Sequence, residues 1–247
     1  TDNTPTTYTY NANGLPETMA SGYSKVWYTY DGTKLTGEIS RRSAVLHEYS
    51  GNRIIETKQY SFIGTEGENW NFNPENATLR ATTTYTYNAY GQPTVENSYS
   101  EGVGSVVSIK TYNTTAGSHI FGVLTSEIDS LGRTTRYFYD SNKGYLLATL
   151  APDGNGIVYE YDVLGRMTYA APAKASSNSY TESSSAEAVS YYYNSSGKLS
   201  SIDNSYNWYD MSYDEFGNMV RVGVSDLILA SYSYNSGNGK LSTMAYG

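Results

Sequence analysis

Along most of the chain, apolar and aromatic residues alternate with polar ones two by two, and the alternation stops at a small polar cluster ending in Gly. A period of two places residues i and i+2 on one face of a strand, so the pattern predicts short antiparallel strands separated by tight turns. Helix signals are nearly absent. The one candidate is a weak stretch at Ser184-Ser-Ala-Glu-Ala188.

The alternation is also repetitive. A phrase Tyr-x-Tyr, then Asn or Asp, then Gly three residues on, returns roughly every twenty residues, which is the signature of a repeat architecture. Five copies are the clearest: Tyr8, Tyr10, Asn11 and Gly14; Tyr85, Tyr87, Asn88 and Gly91; Tyr159, Tyr161, Asp162 and Gly165; Tyr191, Tyr193, Asn194 and Gly197; and Tyr213, Asp214 and Gly217, where Met211 replaces the first ring. Tyr28, Tyr30 and Asp31, Tyr137, Tyr139 and Asp140, and Tyr232, Tyr234 and Asn235 differ in the length of the turn. The two rings of each phrase share a face, the side chain of Asn or Asp starts a turn, and the Gly supplies the left-handed conformation that closes a bulged hairpin. After the Gly comes Arg or Lys and then Leu or Met, as in Gly165-Arg-Met167 and Gly197-Lys-Leu199, which opens the return strand.

Each repeat thus predicts one hairpin, and ten or eleven of them predict about twenty strands. The fold class is all-β, an array of antiparallel hairpin repeats over 1–247, and a sheet of that many twisted strands is expected to curl, spiral or close. The spacing is irregular near 62–79, which reads as a degenerate Trp-containing unit, near 99–110, which reads as an extra hairpin, and near 170–188, which reads as a mobile Ser/Ala-rich loop. Both ends read as cut, so the chain is expected to be a segment of a longer polypeptide.

Composition narrows the function classes. Aromatic residues are 15% of the chain, with 28 Tyr against 5 Phe and 3 Trp, so the rings that pack the sheet carry a hydroxyl needing a partner or water. A net charge of −8 with single, scattered Lys and Arg argues against nucleic acid as a partner. There is no Cys, which removes disulfides, thiolate metal sites and a Cys nucleophile. No apolar run approaches the ~18 residues of a membrane-spanning helix.

These phrases resemble the YD repeats of the Rhs family, which run G-x(3–9)-Y-x-Y-D-x-x-G-R-L. The segment Ala151-Pro-Asp-Gly-Asn-Gly156 through Tyr159, Tyr161, Asp162, Gly165, Arg166 and Met167 matches almost residue for residue. The resemblance covers nearly the whole chain. It implies a long β-strip spiralling into a hollow shell, as in Rhs toxins, the BC component of insecticidal toxin complexes and the teneurin ectodomain. It further implies a secreted or cell-surface bacterial protein whose shell encloses a C-terminal toxin. The partners implied are that cargo domain or neighbouring repeats. Nothing here matches the D-P-x-G core segment at which many Rhs toxins cut themselves, so self-cleavage is not carried over.

Candidate chemistry is sparse. His47 stands where a repeat Tyr is expected, and His119 lies in another repeat, so neither finds a metal-binding companion in the sequence. Asp140-Ser-Asn142-Lys-Gly144 begins like a calcium loop, but the twelfth position is Ala151 in place of Glu. Ser195-Ser-Gly-Lys198 has S-x-x-K spacing inside an ordinary repeat turn, and no G-x-S-x-G occurs. The expectation is no enzyme activity, no cofactor and no metal. The most site-like patch is Glu66, Glu68 and Trp70, where two carboxylates beside an exposed indole could hold a sugar, and this supports an alternative as an extracellular carbohydrate-binding or adhesion module. Trp27 and Trp208 are expected in the core.

Overall fold

The computed structural model describes residues 5–247. The described residues form 21 strands and two single 3-10 turns, so the fold is all-β and antiparallel. The chain divides into two compact units, one of residues 1–111 with 127–133, the other of 112–126 with 134–247.

In the first unit β1 (Thr6–Tyr10), β2 (Pro16–Ser21), β3 (Ser24–Asp31), β4 (Lys34–Ile39), β5 (Ser43–Ser50), β6 (Arg53–Ser61), β7 (Thr78–Tyr87), β8 (Pro93–Ser100) and β9 (Gly104–Tyr112) pair in chain order. Strand β10 (Leu124–Ile128) follows a loop. In the second unit the order is β11 (Thr134–Tyr139), β12 (Leu146–Leu150), β13 (Asn155–Tyr161), β14 (Met167–Ser176), β15 (Ser179–Glu182), β16 (Val189–Tyr193), β17 (Leu199–Asp203), β18 (Trp208–Tyr213), β19 (Met219–Val224), β20 (Leu227–Tyr234) and β21 (Leu241–Tyr246). The meander is interrupted once, where β14 carries both β15 and β16 along one edge.

The two faces of the sheets differ. Along β13, Tyr159 and Tyr161 are half-buried on one face, whereas Val158 is buried on the other. Val158 lies between Ala148 and Ala171, and Gly156 between Leu150 and Ala173, so the second unit has a dry patch of small residues behind its tyrosines. Small side chains are needed because something else packs there. The ring of Tyr180, on β15, sits 5.1 Å from that of Phe138, on β11. Those strands are separated by β12, β13 and β14, so the β14–β15 hairpin folds back over the sheet. The 170–188 stretch, expected as a loop, is therefore mostly strand, because its alternating Ala residues serve as floor for that hairpin. Ser184–Ala188 forms a turn and no helix.

The first unit has a similar cover. Trp27, Ile39, Ala44 and Tyr60 line up in register across β3 to β6 on the face away from Tyr28 and Tyr30. The chain after β6 turns back across this face. Phe72 packs on Tyr60 and Phe62 at 5.6 and 4.8 Å, and the indole N–H of Trp70 donates to the carbonyl of Lys25 at 3.0 Å. The 62–79 stretch is thus an irregular cover with two 3-10 turns, and 99–110 is the β8–β9 hairpin.

Candidate functional site

The repeat phrase builds the same joint many times. At Asp162 one carboxylate oxygen accepts the N–H groups of Leu164 and Arg166 at 2.9 and 3.0 Å, which fixes the turn. The same pair of bonds occurs at Asn11, Asn88, Asn194 and Asp214. The turn closes on Gly165 at φ +80°, a left-handed conformation that costs residues with a Cβ ~1–2 kcal/mol. A register shift then falls immediately before the second ring: between Glu160 and Tyr161, and equally before Tyr10, Tyr30, Tyr49, Tyr87, Tyr139, Tyr193, Tyr213 and Tyr234. Such a bulge re-aims the side chain that follows it.

What the second ring is aimed at is the preceding repeat. The Tyr193 hydroxyl donates to the Met167 carbonyl at 2.8 Å, Tyr213 to Leu199 at 2.8 Å and Tyr234 to Met219 at 2.9 Å. In the first unit Tyr30 donates to Pro16 at 2.8 Å, Tyr49 to Leu35 at 2.9 Å and Tyr87 to Ile54 at 2.6 Å. Each acceptor is the first or second residue of a return strand. The residue just before it, the Arg or Lys of the phrase, lies over the same ring: Arg166 over Tyr193 at 4.3 Å, Lys198 over Tyr213 at 5.3 Å, Arg53 over Tyr87 at 5.6 Å and Lys34 over Tyr49 at 5.8 Å. Arg166 is itself held by Asp162, whose Oδ2 accepts both Nε and a terminal N–H at 2.7 and 2.6 Å. One joint therefore links Asp162, Arg166, Met167 and Tyr193, and it satisfies the hydroxyl that makes Tyr expensive to bury. At Tyr161 the cation's place is taken by a ring, Tyr145, with centroids 5.0 Å apart.

Burial pushes the phenols of Tyr28, Tyr30, Tyr85, Tyr139 and Tyr161 upward, so they stay protonated. The turn carboxylates move the other way. The Arg133 side chain holds Asp129 below the usual Asp value, Asn218 holds Asp214 low, and the backbone N–H of Lys143 holds Asp140 low.

The joint was only partly visible in the repeat phrase. Asp129-Ser-Leu-Gly132-Arg133 forms a full turn with the same bonds, although the tyrosines before it are replaced by Ser126 and Ile128. The signal that finds it is Asp-x-x-Gly-Arg alone. Tyr137 and Tyr232 are half-buried first rings. Tyr8 is exposed. His47 shares the face of Tyr49 and pairs through Nδ1 with the Thr57 hydroxyl at 3.0 Å. At Asp140 the carboxylate accepts the N–H groups of Asn142 and Lys143, and Gly144 N–H donates to its carbonyl, so this loop is a lengthened repeat turn.

The sugar patch expected at Glu66, Glu68 and Trp70 is placed differently. Trp70 is half-buried, not exposed, with its N–H on Lys25 and the Arg41 guanidinium 5.9 Å from its ring, whereas Glu66 and Glu68 are exposed. The turn Asn69-Trp70-Asn71 has φ near +50° at all three residues, which swings the indole inward under the sheet edge. Trp208, expected in the core, is 45% exposed and lies against Tyr192 at 5.3 Å, because it follows the strand face opposite the paired rings.

Comparison with solved structures places this fold. It is similar to the crystal structure of TcdB2-TccC3-TEV, with 14% identity and a TM-score of 0.64, covering 98% of this chain and 12% of that one. It is also similar to TcdB2-TccC3-Cdc42, with 14% identity and a TM-score of 0.54, covering 96% of this chain and 15% of the other. A Photorhabdus luminescens Tc holotoxin pore matches more weakly, at 12% identity and a TM-score of 0.46, over 97% of this chain and 18% of that one. The chain thus spans less than a fifth of the length of each of these three proteins. No family model matches the sequence, and no curated protein matches it. The likeness shows the fold, an antiparallel β-structure shared with the TcdB2-TccC3 structures.

Proposed function

We propose that this chain is a wall segment: a structural, non-catalytic piece of a secreted or surface bacterial Rhs/YD-repeat protein whose sheet encloses a C-terminal toxin. The observation that carries the reading is the joint itself. Among the described residues the same hydroxyl-to-carbonyl bond recurs six times, each time tying one hairpin to the one before it. Side chains spent on holding neighbouring hairpins together make a stiff sheet. A stiff sheet with polar turns is what a container wall requires, since it must exclude water and proteases without itself opening. Similarity in fold to TcdB2-TccC3 structures supports a scaffold role. Among the described residues no helix is long and apolar enough to cross a membrane, and no group of three or more His, Cys, Asp or Glu is placed to hold a metal.

Electron microscopy of the full-length polypeptide, combined with mass spectrometry of its protease-resistant core, tests this reading. A hollow particle retaining a protected, non-repeat tail is the expected result. An extended rod, or a tail cleaved as readily as a free domain, would overturn it.

A further inference from the structure

In a chain with a net charge of −8, three cations gather at one edge of the first unit without an acidic partner. Arg41 and Arg42 form the turn between β4 and β5, and Lys25 lies at the start of β3 opposite them. Among the described residues none of the three takes part in an ion pair. Six of the 16 basic residues pair with carboxylates, and none of those carboxylates lies at this turn.

The backbone under this cluster is held firmly. Gly64 N–H donates to the Arg41 carbonyl at 2.7 Å and Phe62 N–H to the Arg42 carbonyl at 3.2 Å, while Ser40 N–H donates to the Ser43 carbonyl at 2.8 Å across the turn. A Cβ on Gly64 would lie 2.6 Å from the Trp70 Cβ and 3.1 Å from the Arg41 carbonyl oxygen, so this close approach admits only Gly. The Trp70 bond to Lys25 ties the third cation to the same frame. Arg41 and Arg42 are both exposed on this turn, with the Arg41 guanidinium 5.9 Å from the Trp70 ring.

Two clefts meet at this pair. One, of about 340 Å³, is bordered by Tyr23, Ser24 and Lys25 as well as Arg41 and Arg42. The other, of about 630 Å³, runs from the same arginines past Phe62 and Ile63 to Thr78. Both fall within the ~300–1,000 Å³ of small-ligand clefts, and neither has a carboxylate in its lining. Tyr23 is fully exposed at the rim, with nothing covering its ring.

We propose that the Arg41–Arg42 turn, with Lys25 and Tyr23, is a binding site for an acidic saccharide. A planar guanidinium recognises a carboxylate or sulfate through two parallel hydrogen bonds, and an exposed phenol ring offers a flat apolar face for a sugar ring. Nucleic acid fits less well. It needs several aromatic platforms along a basic groove, and here the other nearby rings already carry cations: Trp27 has Lys25 at 3.9 Å, and Trp70 has Arg41. The net negative charge of the chain also opposes approach of a long polyanion.

Calorimetric titration with a tetra-galacturonate, beside the neutral maltotetraose and a short oligothymidylate, tests the site. Saturable binding of the galacturonate below about 1 mM, weakened by salt and weakened at least tenfold by Lys25→Ala with Arg42→Ala, is the expected result. Arg42→Ala alone should weaken binding and Arg42→Lys should retain part of the affinity, and the urea midpoint should stay unchanged in these two single variants, which separates lost binding from lost folding. Equal binding of maltotetraose, no binding of galacturonate, or an affinity indifferent to Lys25 and Arg42 would overturn the proposal. Tighter binding of the oligothymidylate with the same dependence on Arg42 would assign the turn to nucleic acid instead.

Discussion

The hydroxyl of Tyr193 donates to the carbonyl of Met167 at 2.8 Å, one residue beyond the Arg166 whose guanidinium covers the same ring at 4.3 Å. Twenty-six positions of sequence separate the two bonded residues, yet both belong to the same phrase read in adjacent repeats. The bond adds a side-chain tie between two hairpins whose backbones already pair through β14 and β16.

Tyr193→Phe should therefore destabilise the second unit by about 1 kcal/mol, the net worth of one hydrogen bond whose acceptor is left half-buried. Tyr191→Phe, on the first ring of the same phrase, should cost clearly less. Urea unfolding of the two variants checks this, and equal effects would remove the special role of the second ring.

Arg166 acts in two contacts, on Asp162 and on Tyr193. Arg166→Ala should cost about 1–2 kcal/mol, and Arg166→Lys less, since an ammonium keeps the charge over the ring but loses the paired N–H groups on Asp162. A double-mutant cycle with Tyr193→Phe should show coupling of at least ~0.5 kcal/mol. Additivity would mean that the stacked geometry contributes nothing.

Two glycines of equivalent position should respond differently to Ala. Gly132, at φ +74°, has open space where a methyl would be added, so only the backbone strain of ~1–2 kcal/mol applies. At Gly165 the methyl would also lie 2.7 Å from the Tyr145 hydroxyl, so Gly165→Ala should be the more damaging of the pair. Thermal melts compared side by side would decide.

Stability should fall at both extremes of pH. Asp129, Asp140 and Asp214 have folded pKa values below that of unfolded Asp, ~3.9, because side-chain and backbone N–H groups stabilise the carboxylates. Their contribution is present above that value and disappears as pH falls through the lowered folded pKa values. Tyr28, Tyr85, Tyr139 and Tyr161 have raised values, chiefly through burial, so their contribution holds below the unfolded value of ~10 and is lost as pH rises through the folded ones. Urea midpoints between pH 2 and 5 should drop with acid, and tyrosinate absorbance should rise late and steeply with base. Asp214→Asn should flatten part of the acid limb, since an Asn can keep the turn bonds without titrating.

Gly64→Ala should disturb the cover over the first unit, because both the Trp70 Cβ and the Arg41 carbonyl stand in the way. Loss of the near-ultraviolet signal of Trp70, with the far-ultraviolet strand signal intact, is the expected signature. An unchanged spectrum would show that the loop can move aside.

Much of this protein can be read from its residues because the information is local. Period-two alternation, the Asp or Asn at the turn and the Gly three residues on each act through bonds spanning at most four positions, as at Asp162, so they announce strands and hairpins wherever they occur. The Asp129 turn escaped only because its rings are missing, although its own local bonds are complete. What required the tertiary structure is everything that joins distant positions. The destination of the Tyr193 hydroxyl is set by the bulge and by which strand lies alongside, and neither is encoded within one phrase. The Ala-rich 170–188 stretch looked like a loop because a hairpin folded over a sheet needs small residues beneath it, a demand that only the packed partner Tyr180 reveals. Trp70 looked like an exposed sugar platform because its spacing says nothing of the three left-handed residues that turn it inward to Lys25. Local hydrogen bonding determined the elements, and packing between elements distant in sequence decided which faces they bury.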